Sequence, residues 1–74
     1  MKTWQFDLDD KLYMVSFDAQ QMPPVIMVND KPIAITPKLT QQGQAYNFML
    51  NKHQATIQTA QTTDGLKVIL LVDG

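Results

Sequence analysis

Apolar side chains alternate with polar ones across residues 4–17: Trp4, Phe6 and Leu8 precede a polar break at Asp9 and Asp10, and Tyr13, Val15 and Phe17 follow it. A period of two is the signature of a strand with one face covered, and two such runs about a short break predict a β-hairpin. With a two-residue loop, Trp4 faces Val15 and Phe6 faces Tyr13 on the apolar side. Thr3 with Ser16 and Gln5 with Met14 then form a mostly polar side. The pattern returns 42 positions later without a gap, as Tyr46, Phe48 and Leu50, then Asn51 and Lys52, then Ala55 and Ile57. In this second hairpin Tyr46 faces Ile57 and Phe48 faces Ala55, while Asn47 with Thr56 and Ala45 with Gln58 take the other side. Cross-strand pairs of this kind contribute roughly 0.2–1 kcal/mol each, and a one-residue slip would turn them into water, so the register is expected to be firm. Neither break is the Asn-Gly or Asp-Gly that primed two-residue turns favour, which leaves longer loops open.

The remaining segments fit around these hairpins. Pro23 and Pro24, in a polar stretch after Phe17, suit a loop because neither has a backbone donor. Val25, Ile26, Met27 and Val28, the pair Asn29 and Asp30, and residues 31–35 predict a third hairpin. Pro32 would stand opposite Met27, and the return strand through Ile33 and Ile35 is expected to be an edge. Residues 36–44, polar and holding Pro37 and Gly43, read as a linker. The second hairpin is expected to end near Thr59, with a turn at residues 62–65 before the most apolar strand, residues 66–72. There Val68, Leu70 and Val72 point one way and Ile69 and Leu71 the other, so both faces want cover. Asp73 and Gly74 are good turn residues. No helix is signalled. The expected fold is therefore a single all-β domain over residues 1–74: a small antiparallel β-sandwich, or a partly open barrel, of about seven short strands. It is built from two similar halves at about 1–36 and 44–74.

Composition narrows what such a fold can do. At 74 residues a domain buries only about 60% of its unfolded surface, so stability is expected to be thin. The sequence has no cysteine and one histidine, which removes disulfides and thiolate zinc sites as supports. Six basic and seven acidic residues leave a formal charge of -1, with no footprint for nucleic acid or anionic lipid. No stretch resembles a signal peptide or a membrane span, and the default expectation is a soluble cytoplasmic protein.

Candidate chemistry is sparse. Asp7, Asp9 and Asp10 cluster at one tip, but calcium needs six to eight oxygen ligands and the spacing matches no calcium loop, so they read as turn residues and no metal is expected. His53, on the Leu50 face at the mouth of the second hairpin, has no placed carboxylate or nucleophile and reads as structural. Ser16 lacks a nucleophile elbow. Trp4, Tyr13, Tyr46 and Phe48 lie in the core phase with no basic residue interleaved, which favours packing over base or sugar stacking. Met14, Met22, Met27 and Met49 suit either adaptable protein contacts or gap filling.

Trp4 and Leu8, Val15 and Phe17, residues 25–31, Phe48, the run Ala55, Thr56 and Ile57, Gly65 and Leu66, and residues 71–74 together resemble the β-sandwich of the Fas apoptotic inhibitory molecule family. Their order and spacing are similar to that family's opening tryptophan strand, its paired strands ending in a Val-Asp-Gly-Lys turn, and its Ala-Thr-Ile strand before a second such turn. Asn29 and Asp30 stand where the family tends to have Asp-Gly, residues 37–43 replace an expected aromatic strand, and the chain stops at Gly74 without the usual continuation. The resemblance implies a non-enzymatic cytosolic regulator of cell-death signalling and protein quality control, and it carries no catalytic residue to this chain.

The functional expectation is a protein-interaction module, without cofactor, that self-associates as a homodimer through an apolar edge strand, with Met49, Ile69 and Leu71 as the candidate interface. A small barrel holding an apolar ligand among Trp4, Phe6 and Tyr46 is the alternative. An enzyme is not expected, because no two titratable groups are placed for acid and base work.

Overall fold

The computed structural model describes residues 1–41 and 43–73. Eight strands follow in order: β1 (Lys2–Leu8), β2 (Lys11–Asp18), β3 (Val25–Val28), β4 (Lys31–Pro32), β5 (Thr36–Leu39), β6 (Gly43–Leu50), β7 (His53–Thr62) and β8 (Gly65–Val72). They form two antiparallel four-stranded sheets, ordered β1-β2-β3-β4 and β5-β6-β7-β8. The chain divides into two compact units, Met1–Ala34 and Ile35–Gly74. The all-β antiparallel class read from the alternation is the class observed.

The first unit keeps the expected register. Trp4 pairs with Val15, Phe6 with Tyr13, Thr3 with Ser16 and Gln5 with Met14. The two-residue loop holds without glycine because Asp9 and Asp10 both take positive φ, 53° and 64°, as a type I′ turn requires, and aspartate tolerates that region better than most residues. Asn29 and Asp30 do the same between β3 and β4, at 51° and 68°. Asn29 is further tied to β2: its N–H donates to the Met14 carbonyl and its Oδ1 accepts from the Met14 N–H, both at 2.9 Å. Asp30→Gly gives this turn the preferred Asn-Gly pair. Relief of a non-glycine residue from the left-handed region predicts a gain of about 1 kcal/mol, read as a higher urea midpoint at unchanged slope.

Tyr13, Val15, Phe17 and Ile26 are the buried apolar residues here, with Val15 at 0% exposure. They share the predicted phase. The Phe6 and Tyr13 rings stack at 6.1 Å between centroids. Trp4 is only half-buried, and Lys2 Nζ lies 6.0 Å from its ring centroid. Lys2 stands two positions from Trp4 on the same side of β1, so one cation sits beside this ring at the end of the aromatic row. The return strand is shorter than expected: β4 ends at Pro32, and Ile33 continues only through its N–H to the Ile26 carbonyl at 3.1 Å.

In the second unit Tyr46 pairs with Ile57, Phe48 with Ala55, Asn47 with Thr56 and Ala45 with Gln58, as predicted. Asn51 takes positive φ at 56°. β7 runs past Thr59 to Thr62 and turns through Thr63 and Asp64 into Gly65, whose φ is 121°. The Thr62 hydroxyl closes that turn by donating to the Gly65 carbonyl at 2.8 Å and accepting from the Asp64 N–H at 3.3 Å. Tyr46, Phe48, Leu50, Ala55 and Ile57 are buried on one face.

The linker reading of residues 36–44 is overturned: Thr36–Leu39 is an eighth strand, paired with β6 so that Pro37 faces Tyr46. The reason is geometric. Thr40 N–H donates to the Gly43 carbonyl at 3.0 Å, which places the even-numbered residues of β5 in the bonding phase with β6. Pro37 lies between them, so its missing N–H would have faced away from the sheet. A proline read as a breaker is thus compatible with an edge. Part of that stretch, Gln42, lies outside the described residues, as does Gly74 of the expected terminal turn.

Candidate functional site

Four strands bound the two sheets: β1 and β4 in the first, β5 and β8 in the second. An edge strand offers unpaired N–H and C=O groups to any passing strand unless something blunts it. Two of these edges are blunted. β4 is two residues long and contains Pro32. Pro32 pairs with Met27 in the non-bonded phase, since Ile33 N–H supplies the adjacent bond to Ile26. β5 carries Pro37 in the equivalent phase. β1 and β8 contain no proline.

Of these two, β8 is the more apolar. Asp73 N–H donates to the Gln54 carbonyl at 2.8 Å, so the odd-numbered residues of β8 turn their backbone groups toward β7. Leu66, Val68, Leu70 and Val72 therefore direct theirs to the open edge, by the alternation of an antiparallel ladder. The same strand presents apolar side chains on both faces. Val68, Leu70 and Val72 are half-buried, while Ile69 and Leu71 are 38% and 49% exposed. The expectation that both faces are covered is met only in part, because the Ile69 and Leu71 side stands open.

Met49, Ile69 and Leu71 lie on one face of the second sheet. Ile69 and Leu71 are neighbours on β8, opposite Gln58 and Thr56. Met49, 53% exposed, is on β6 opposite Gln54, with β7 between it and Leu71. The structure brings two of the three together and leaves the third at the margin of the same face. Met14 and Met22 are also exposed, so of the four methionines considered only Met27 has the partial burial of a gap filler. Sequence reading missed Lys67 and Asp73, which flank the apolar pair on β8. Their same-parity spacing from Ile69 and Leu71 was the available signal.

An open groove of about 340 Å³ adjoins this face, lined by Thr40, Gln41, Gln58, Thr59, Ala60, Lys67 and Ile69. The lining mixes polar and apolar surface and includes none of Trp4, Phe6 and Tyr46. Tyr46 is instead a packed residue, 3% exposed; its hydroxyl donates to Gln44 Oε1, and burial pushes its phenol above the ordinary value of 10.0. His53 lies within hydrogen-bond distance of the Asp73 carbonyl, with Nδ1 at 3.1 Å, a contact that ties the end of β8 to β7. Among the described residues no group of three or more histidine or carboxylate side chains could hold a metal ion, and no helix is long and apolar enough to cross a membrane.

Two antiparallel four-stranded sheets, each with one edge blunted by a proline, make this a small all-β protein. The chain belongs to the Fas apoptotic inhibitory molecule (FAIM1) family, whose model matches residues 1–74, the whole length. That family and the β fold fit a small regulatory module. No curated protein matches the chain. No solved structure matches it either.

Proposed function

We propose that this chain is a non-enzymatic regulatory module that acts by protein contact along the open edge of β8, and that its first partner is a second copy of itself. The observation carrying this reading is an edge strand without proline whose outer side chains, Ile69 and Leu71, are 38% and 49% exposed. Backbone groups supply the affinity when one strand adds to another, and side chains at alternate positions supply the selectivity. Identical edges meet about a two-fold axis and so close as a dimer rather than growing as a fibre. The family description ties such modules to inhibition of Fas-triggered apoptosis, and we extend that regulatory role to this chain.

Leu71→Lys tests the edge. The site is half exposed, so the fold tolerates a lysine there, while two added cations at a self-pairing edge oppose association. The expected result is a folded monomer by circular dichroism and light scattering, against a dimeric parent. A parent that stays monomeric at millimolar concentration would end the self-association reading.

A further inference from the structure

From the pattern of charge and apolar residues on β8 we infer the register of that self-pairing: the two copies meet antiparallel about an axis through Leu70. This rests on the edge reading above and gives it a specific geometry. Because Leu66, Val68, Leu70 and Val72 present their backbone groups to the open side, they must bond one another across the axis, which restricts the pairing to a short series of registers. Centring on Leu70 sets Leu70 opposite Leu70 and Val68 opposite Val72 of the second copy. On the exposed face it sets Ile69 opposite Leu71, and Lys67 opposite Asp73, each pair occurring twice by symmetry.

The two registers shifted toward the start of β8 are worse. Centring on Ile69 sets Lys67 against Leu71 of the second copy, and centring on Val68 sets it against Ile69. Each buries a lysine head beside an aliphatic side chain and leaves Asp73 without a cation. Within one copy Lys67 and Asp73 cannot pair, since six residues of extended strand hold them roughly 20 Å apart. Both residues are exposed, and their side chains form no part of the ladder to β7. The strand is thus written as its own complement, cation and anion outside two aliphatic residues, and opposite charges facing across a ladder favour one register over its alternatives.

Charge reversal in the full chain reads this directly. Lys67→Asp alone sets aspartate against Asp73 twice per dimer, and Asp73→Lys alone sets lysine against Lys67. Each is expected to weaken dimerisation about tenfold by sedimentation equilibrium at low salt, with the loss shrinking as salt rises. The double variant, Lys67→Asp with Asp73→Lys, restores opposite pairs and is expected to return within about threefold of the parent. In mixed labelled and unlabelled protein, a contact between the α protons of Ile69 and of Leu71 from the other copy is also expected. A dimeric parent whose single variants are unaffected, or whose double variant is no better than the singles, overturns the register while leaving the edge reading intact. Intermolecular contacts from β8 to β1 would overturn it too. A monomeric parent defeats both.

Discussion

Phe17→Ala is expected to remove a large share of the chain's stability, about 3–5 kcal/mol. Phe17 is 2% exposed and pairs with Lys2 on one side and Ile26 on the other, so truncation removes a large ring from a site whose neighbours are fixed in two ladders. Phenylalanine-to-alanine changes in such places cost about 3–5 kcal/mol through lost transfer energy and the cavity left behind. A chain of this length has about 4–11 kcal/mol in total. Leu12→Ala, at a position on the same strand but 57% exposed, is expected to change stability by no more than about 0.5 kcal/mol. Urea titrations of the two variants make the comparison. Equal losses would mean that the alternation along β2 does not separate a covered face from an open one.

Gly43→Ala is expected to be the most damaging single-methyl addition. A Cβ there would press on the Thr59 carbonyl oxygen far inside contact distance, and would lie 2.9 Å from the Thr59 carbonyl carbon and 3.3 Å from the Ala60 Cα. All three obstacles are backbone of β7, so none can rotate away. Opening the ladder instead strains the start of β6, where Gly43 also donates its N–H to Thr40 Oγ1 at 3.0 Å. Alanine would restrict the unfolded chain, a benefit of about 0.4–1 kcal/mol, but overpacking against immovable atoms reaches about 3 kcal/mol. The net loss predicts a melting temperature lower by about 10 °C or more. Gly65→Ala provides the contrast: no atom lies within 4 Å of its Cβ position, so its cost comes from the positive φ alone. A Gly43→Ala protein that melts with the parent would show that β6 can leave β7 at that point without penalty.

These two positions also separate what could be read from the letters and what could not. Phe17 declared itself by alternation, whereas Gly43 looked like a flexible linker residue beside Pro37. The close approach of Thr59 becomes visible only when β5, β6 and β7 are laid side by side. The candidate edge divides in the same way. The apolar run of β8 was plain in sequence, and the strand order β5-β6-β7-β8 puts it at the outer edge of its sheet. Met49 was grouped with Ile69 and Leu71 in sequence, and the sheet order puts it two strands from Leu71, at the margin of their face.

Local pattern by itself located seven of the eight strands, the polar breaks at residues 9–10, 29–30 and 51–52, and the facing pairs, because a hairpin links residues near in sequence and a period of two leaves only one register with its apolar side chains together. Tertiary structure decided which strands are outermost, that residues 36–39 join a sheet, and which way each unpaired N–H points. Those properties depend on partners distant along the chain, and a proline or an exposed isoleucine is spelled the same whether or not a neighbour lies beside it.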